Sequence, residues 1–411
     1  MEKKPQRPEP AIRNRDIVVI GLQPWDVAIG SNCKDIALEM SRHNRVLYVN
    51  FPLDWNRLFR ERKTPGMKKQ LSVLSKPEEA LVSIGPNLWN FYPGAVLFSV
   101  NWINSARIFS FFTRLNNQLF ARSIRKAIRR LGFKNFILFN DNDMFRGFYM
   151  KELLKPAVSV YYSRDYMLAV PYWKKHGAVL EPQLIAKSDV CVANSTFLAD
   201  YCKQYNPRSY YVGQGCDLSL YTTAERETPA DMQGIQHPVI GYTGALISFR
   251  LNLALLDYIA RQKKDWSLVL IGPEDEDFSK SSLHQLPNVH FLGSKKTSEL
   301  PAYIQAFDVC INPQVVSEVT IGNYPRKIDE YLAMKKPAVA TKTPAMSAFA
   351  DHTYLAESKE EFVALLEKAL AEDSPERQEE RRRFAASHTW ENNVAEIYNA
   401  IAVVEASQQK T

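Results

Sequence analysis

Short apolar runs alternate with amphipathic stretches along most of the chain. Asp16–Ile20, DIVVI, has the length and β-branched content of a strand buried on both faces. A loop with Gly21 and Gly30 follows, then a helical pattern with Ile36, Ala37 and Met40 on one side, then a second apolar run at Val46–Val49. Strand, helix and strand in that order predict the βαβ opening of a parallel sheet wrapped by helices. Strand-like runs return at Phe136–Phe139, Val158–Tyr162 and Val190–Ala193. Beyond a polar stretch, Val239–Tyr242, Trp266–Ile271, Val289–Leu292 and Asp308–Ile311, with a helix at Leu300–Ala306, predict a second sheet of the same kind. Residues 52–105 break the rhythm with Pro52, Pro65, Pro77, Pro86 and Pro93 and read as strands and loops of variable type.

At 411 residues the chain is long enough for two domains of ordinary size. The expected organisation is a disordered lead-in at 1–15 and a first Rossmann-like domain over 16–222. A polar linker at 223–238 leads to a second Rossmann-like domain over 239–384, and a carboxyl-terminal helical segment occupies 385–411. The lead-in, MEKKPQRPEPAIRNR, has no apolar core and so lacks the pattern of a secretory signal. No apolar run approaches the roughly 18 residues of a membrane-spanning helix. Cys33, Cys191, Cys202, Cys216 and Cys310 are scattered without a CxxC pair, which reads as reduced, buried thiols in a cytoplasmic protein.

The net charge of +7 is modest but uneven. Helix 105–131 carries Arg107, Arg114, Arg122, Arg125, Lys126, Arg129 and Arg130 with no acidic neighbour, interleaved with Phe109, Phe111, Phe112 and Leu119. Basic and bulky apolar residues on one helix suit an anionic membrane surface; a core-packing helix with a solvated basic face is the alternative. No nucleic-acid motif accompanies the charge.

The chemistry concentrates at Val319–Thr341, VTIGNYPRKIDEYLAMKKPAVAT. A loop with Gly322 and Asn323 leads to Pro325, a helix RKIDEYLAM, a Lys-Lys-Pro turn and a strand AVAT. The N–H groups of the helix mouth, with Arg326 and Lys327, form an anion site, and Glu330 follows Lys327 by three residues on nearly the same face. Cations for a diphosphate and a carboxylate for ribose hydroxyls suit a nucleotide. The alternative is a surface helix making ordinary ion pairs. Near the start of the second domain, Gly241 and Gly244 in VIGYTGAL let backbone amides approach a phosphate. In the first domain the strand end at Ser163, Arg164 and Asp165 delivers polar groups where open α/β sheets gather ligands. Asp141-Asn142-Asp143 spells a DxD metal text, but reads better as a polar strand end. There is no GxGxxG, which disfavours a dehydrogenase.

In sum these features resemble the GT-B glycosyltransferases, in the GT4-type branch whose donor signature runs roughly P-x-K-x-x-E-Y-L-A-x-x-K-P-V-V. Pro325, Lys327, Glu330, Tyr331, Leu332, Ala333, Lys336, Pro337 and Val339 fall in register with it. The commoner pattern has a second glutamate eight residues before the ribose-binding one; Gly322 stands there, and Glu318 is out of register. The resemblance implies an α/β GT-B fold, with two doubly wound domains facing across a cleft and the carboxyl-terminal helix, entered through His388-Thr389-Trp390, crossing back to the first. It further implies nucleotide-sugar contacts at Gly30 with Ser31, and at Arg250, Gly272, Gly293 and Asn323, besides Gly244, Arg326, Lys327 and Glu330. Asp165, then Arg164, take the catalytic role near the donor sugar, and His388 is structural. The implied activity is transfer of a sugar from a UDP- or GDP-sugar, with no metal or other cofactor and retention of configuration. The acceptor would be a glycan or lipid-linked glycan of a cell-surface polysaccharide, met at the inner face of the membrane. A sugar-nucleotide epimerase on the same fold and a non-catalytic nucleotide-sugar-binding protein stay open as alternatives.

Overall fold

The structure, a computed structural model, describes residues 11–26, 31–60 and 65–408; Gly30 and residues 1–10 of the expected lead-in lie outside them. The chain divides into two compact units, Met1–Gly213 with Trp390–Thr411, and Gln214–Thr389.

In the first unit the main-sheet strands are β1 (Asp16–Ile20), β2 (Arg45–Val49), β3 (Leu81–Gly85), β4 (Leu88–Phe91), β5 (Ile137–Asp141), β6 (Val158–Ser163), β7 (Val190–Ala193) and β8 (Ser209–Tyr211). They lie in the order β8-β7-β6-β5-β1-β2-β4-β3. Every pairing is parallel except that of β3 with β4. All five β1 residues are buried because both faces of the sheet are covered. Ile17 and Val19 face one core with Ile36, Met40, Ile397 and Ile401, so that helices Asn32–Met40 and Trp390–Gln408 share that side. Val18 and Ile20 face the other with Phe120, Ile124 and Ala127 of the long helix Ala106–Leu131. Ile12 is buried and Arg15 pairs with Glu405 at 2.8 Å, so contacts of the fold begin before β1.

The second unit contains β9 (Val239–Thr243), β10 (Ser267–Ile271), β11 (Val289–Phe291), β12 (Val309–Asn312), β13 (Ala338–Thr341) and β14 (Tyr354–Ala356). Their order, β11-β10-β9-β12-β13-β14, is wholly parallel. This is the doubly wound order 3-2-1-4-5-6, whose winding reverses between the first and fourth strands and opens a crevice at their carboxyl ends. Here that point lies between the ends of β9, at Thr243-Gly244, and β12, at Asn312. The stretch 223–238 belongs to this unit, with Met232 buried in its core. Gly241 does not serve a phosphate: a Cβ there would fall 2.1 Å from the Phe307 ring, so the residue is small because the core is tight.

Candidate functional site

The helix Arg326–Ala333 begins directly after Pro325 and buries Ile328, Asp329, Tyr331, Leu332 and Ala333. It ends where Lys335 takes a left-handed φ of 65°. Two residues of its signature act as fasteners. The Tyr331 hydroxyl accepts the Thr243 N–H at 3.0 Å, tying the helix to the end of β9, and Lys336 Nζ donates to the Phe307 carbonyl at 2.7 Å. The mouth of the helix is thereby fixed beside the switch point of the sheet.

Successive helical residues point about 100° apart, and the two cations of the motif diverge accordingly. Lys327 Nζ lies 4.9 Å from the Tyr242 ring centroid and close over Gly244. It lines a small cavity of about 170 Å³ with Arg250, Asn312, Asn323 and Thr320. Arg326 and Glu330 are not in that lining; they lie toward Cys216 and Tyr221. Burial raises the Glu330 carboxyl above its ordinary range against the pull of Lys327, Arg326 and Tyr221. The Asn312 side chain is 4% exposed and its Nδ2 has no hydrogen-bond partner. A buried amide left so is expected to meet a ligand or water. Asn312 and Tyr242 escaped the sequence reading, although a polar residue closing the apolar run DVCIN was the available signal.

The three glycines of this sheet edge have different jobs. Gly244, at φ 139°, leaves room for Lys327, since a Cβ would come within 3.3 Å of Lys327 Cε. Its N–H is already given to the Ile271 carbonyl at 2.8 Å, so it offers space and not a donor. Gly272, at φ 152°, lets two backbones cross: a Cβ would sit 1.9 Å from the Gly244 carbonyl oxygen. Its own N–H donates to Gly293 O, and Gly293 borders open space. Gly322 is buried in a loop organised by Thr320, whose Oγ1 accepts from Ser317 N–H and whose carbonyl accepts from Gln314 Nε2.

Asp329, next to Glu330, faces inward. Its Oδ1 lies 2.6 Å from His388 Nδ1 and its Oδ2 accepts from the Cys216 thiol at 3.1 Å. Tyr324 Oη stands 3.2 Å from the same His388 nitrogen, and Cys216 N–H donates to the His388 carbonyl. His388 therefore anchors both ends of the second unit's chain to the motif helix.

At the carboxyl edge of the first sheet, Arg164 keeps its side chain 10% exposed and bonds Asp141 at 2.7 Å and Asp165 at 2.6 Å. Burial alone would disfavour its charge, but the two carboxylates more than restore it. Asn142 Oδ1 accepts the N–H groups of Arg164 and Asp165, and the Asp165 carboxylate remains 45% exposed. Asp141 also accepts Leu22 N–H, and Asp143 is held by Arg146 at 2.5 Å, so both DxD carboxylates are committed to arginines. Ser31 is buried with its Oγ unpartnered.

Residues 237–372 match the family described as glycosyl transferases group 1. Over 224 residues the chain is 29% identical to a Bacillus subtilis (strain 168) protein named as a teichuronic acid biosynthesis glycosyltransferase, TuaH. The match covers 51% of this chain and 56% of the relative, little more than half the length of either. Among solved structures, sucrose-phosphate synthase from Thermosynechococcus elongatus superposes with a TM-score of 0.65 at 12% identity, over 96% of this chain and 100% of that one. HepE from Anabaena, in complex with UDP, gives 0.60 at 15% identity over 96% and 100%. The fold is the α/β GT-B fold of these glycosyltransferases.

Proposed function

We propose that this chain, whose residues 237–372 match the glycosyl transferases group 1 family, transfers a sugar from a nucleotide-sugar to an acceptor. The observation that carries the reading is the convergence of Lys327, Arg250 and the unpartnered Asn312 amide on one cavity at the switch point of the second sheet. Lys327 and Arg250 take the diphosphate, stabilising the charge that develops on the leaving group. Glu330 accepts the ribose hydroxyls, with Arg326 beside it. HepE structures with UDP and UDP-glucose support a uridine donor, with GDP as the rival base. Protein cations supply the positive charge, which supports a reaction that needs no metal; retention of configuration follows the family expectation.

Asp165 is the proposed catalytic carboxylate, aimed by Asn142 and backed by Arg164. Likeness to TuaH supports a cell-surface polysaccharide as the product, with a glycan or lipid-linked glycan as acceptor. Among the described residues no helix is long and apolar enough to cross a membrane. The long basic helix instead exposes Ile108 and Phe111 near its start, and this supports attachment to the anionic inner face of the cell membrane.

The test supplies labelled UDP- and GDP-sugars with a bacterial lipid extract as acceptor source. Label should move to the lipid or glycan fraction from one donor, and Asp165→Asn should lower transfer at least tenfold while nucleotide binding persists. Donor epimerised without acceptor, or bound and never consumed, would overturn the transferase reading.

A further inference from the structure

We infer that the cavity beneath the basic helix Ala106–Leu131 binds one phosphate-bearing lipid, with its hydrocarbon chain inside and its headgroup on Arg122 and Lys126. This goes beyond the membrane contact proposed above, which needs only a charged surface, and is independent of the donor site. The cavity measures about 410 Å³, within the usual size of small-ligand pockets. Its walls are apolar, from Val73, Ala80, Leu81, Phe91, Leu119 and Ala127. An apolar hollow open to water leaves its lining hydrated, and a hydrocarbon chain seated there would remove that surface from water.

The rim has the opposite character. Arg122, Lys126 and Arg130 follow at intervals of four along one helix face and line the same cavity. At 1.5 Å per residue the row spans about 12 Å. Among the described residues no Asp or Glu is in the lining, and the helix itself contains none. Arg122 and Lys126 make no ion pair with any described carboxylate; other cations of this unit, such as Arg45 and Arg164, do. Arg122 and Lys126 beside an apolar hollow complement an amphiphile with an anionic head. A free phosphate would satisfy the rim and leave the walls empty. A neutral chain would fill the walls and leave the cations unanswered.

The test uses the full chain with farnesyl phosphate as probe, below its aggregation concentration, and farnesol and inorganic phosphate as its separated halves. Binding is read by thermal shift and native mass spectrometry. Farnesyl phosphate should bind one per chain, at least tenfold more tightly than either half. Arg122→Gln with Lys126→Gln should weaken it at least tenfold. Ser123→Trp plugs the cavity and should abolish the chain-dependent part; Leu74→Glu, at a position 39% exposed, places a carboxylate in the lining with little risk to folding and should do the same. UDP affinity, measured on each variant, should not change. The inference is overturned if inorganic phosphate or farnesol alone matches the whole probe. It is equally overturned if Leu74→Glu binds like wild type, or if Lys327→Ala, which touches only the donor site, removes the probe.

Discussion

Glu330 carries the sharpest residue-scale consequence. It must be ionised to accept ribose hydroxyls, and burial has already moved its carboxyl toward protonation. Its titration therefore begins at a higher pH than that of an ordinary glutamate. Nucleotide affinity is expected to fall on acidification before exposed carboxylates titrate, and Glu330→Gln should bind weakly with that inflection gone. Calorimetric titration between pH 7.5 and 5 checks this; an unchanged pH profile in the variant would remove Glu330 from the site. Gly272 makes a different demand. Any side chain there meets the Gly244 carbonyl and a φ of 152°, so Gly272→Ala should cost about 2 kcal/mol or more in denaturant unfolding. A change under about 0.5 kcal/mol would mean the two loops are not so closely crossed.

At the scale of elements, the helix Pro171–Lys187 buries Glu181 against two tyrosines: Tyr161 Oη donates to Oε1 at 2.6 Å and Tyr201 Oη to Oε2 at 3.2 Å. Burial outweighs both bonds and lifts the carboxyl to about 7. The folded state thus holds a proton that the unfolded state releases near its ordinary value, so the stability of this unit should fall as pH rises through that window and level off above 7. The full effect is roughly 3 kcal/mol. Glu181→Gln should flatten the dependence and stabilise the unit at pH 8; urea midpoints at pH 5.5 and 8 would show it, and a wild-type midpoint independent of pH would contradict it.

Elements were the most legible level of the sequence. Strands buried on both faces write themselves as continuous apolar runs; β1, β7 and β13 are legible to the residue, while the other strands read differ by one or two residues at one end or both. The helix Pro65–Ser75 was not legible, because prolines and a weak apolar stripe hide it among the loops of 52–105. The motif helix announced its position but not its facing. Four charged residues in RKIDE look alike on paper, and only packing shows that Asp329 turns inward to His388 while Lys327 turns to the cavity. Gly241 and Gly244 look alike as phosphate glycines in VIGYTGAL; one is a core contact with Phe307 and the other gives its N–H to the Ile271 carbonyl. The polar close of DVCIN marks Asn312 as a strand end, but only packing shows that its amide is left without a partner.

For the whole molecule, the division into two units separates two kinds of chemistry. The second brings Lys327, Arg250 and the Asn312 amide to one cavity at its switch point, with Glu330 on the same helix but turned toward Tyr221. The first holds a guarded carboxylate and a long basic helix over an apolar cavity. Nucleotide should therefore stabilise the second unit, and Asp165→Asn should leave that response intact. The most direct test of the central claim is thermal stabilisation by UDP, GDP and ADP of wild type, Lys327→Ala and Glu330→Ala. One nucleotide should stand out, adding about 2.7 kcal/mol at 100 times its Kd, and both variants should lose the response while melting near wild type in its absence. If no nucleotide shifts the wild type, or if both variants respond in full, the helix Arg326–Ala333 is a structural element and the donor site proposed for it does not exist.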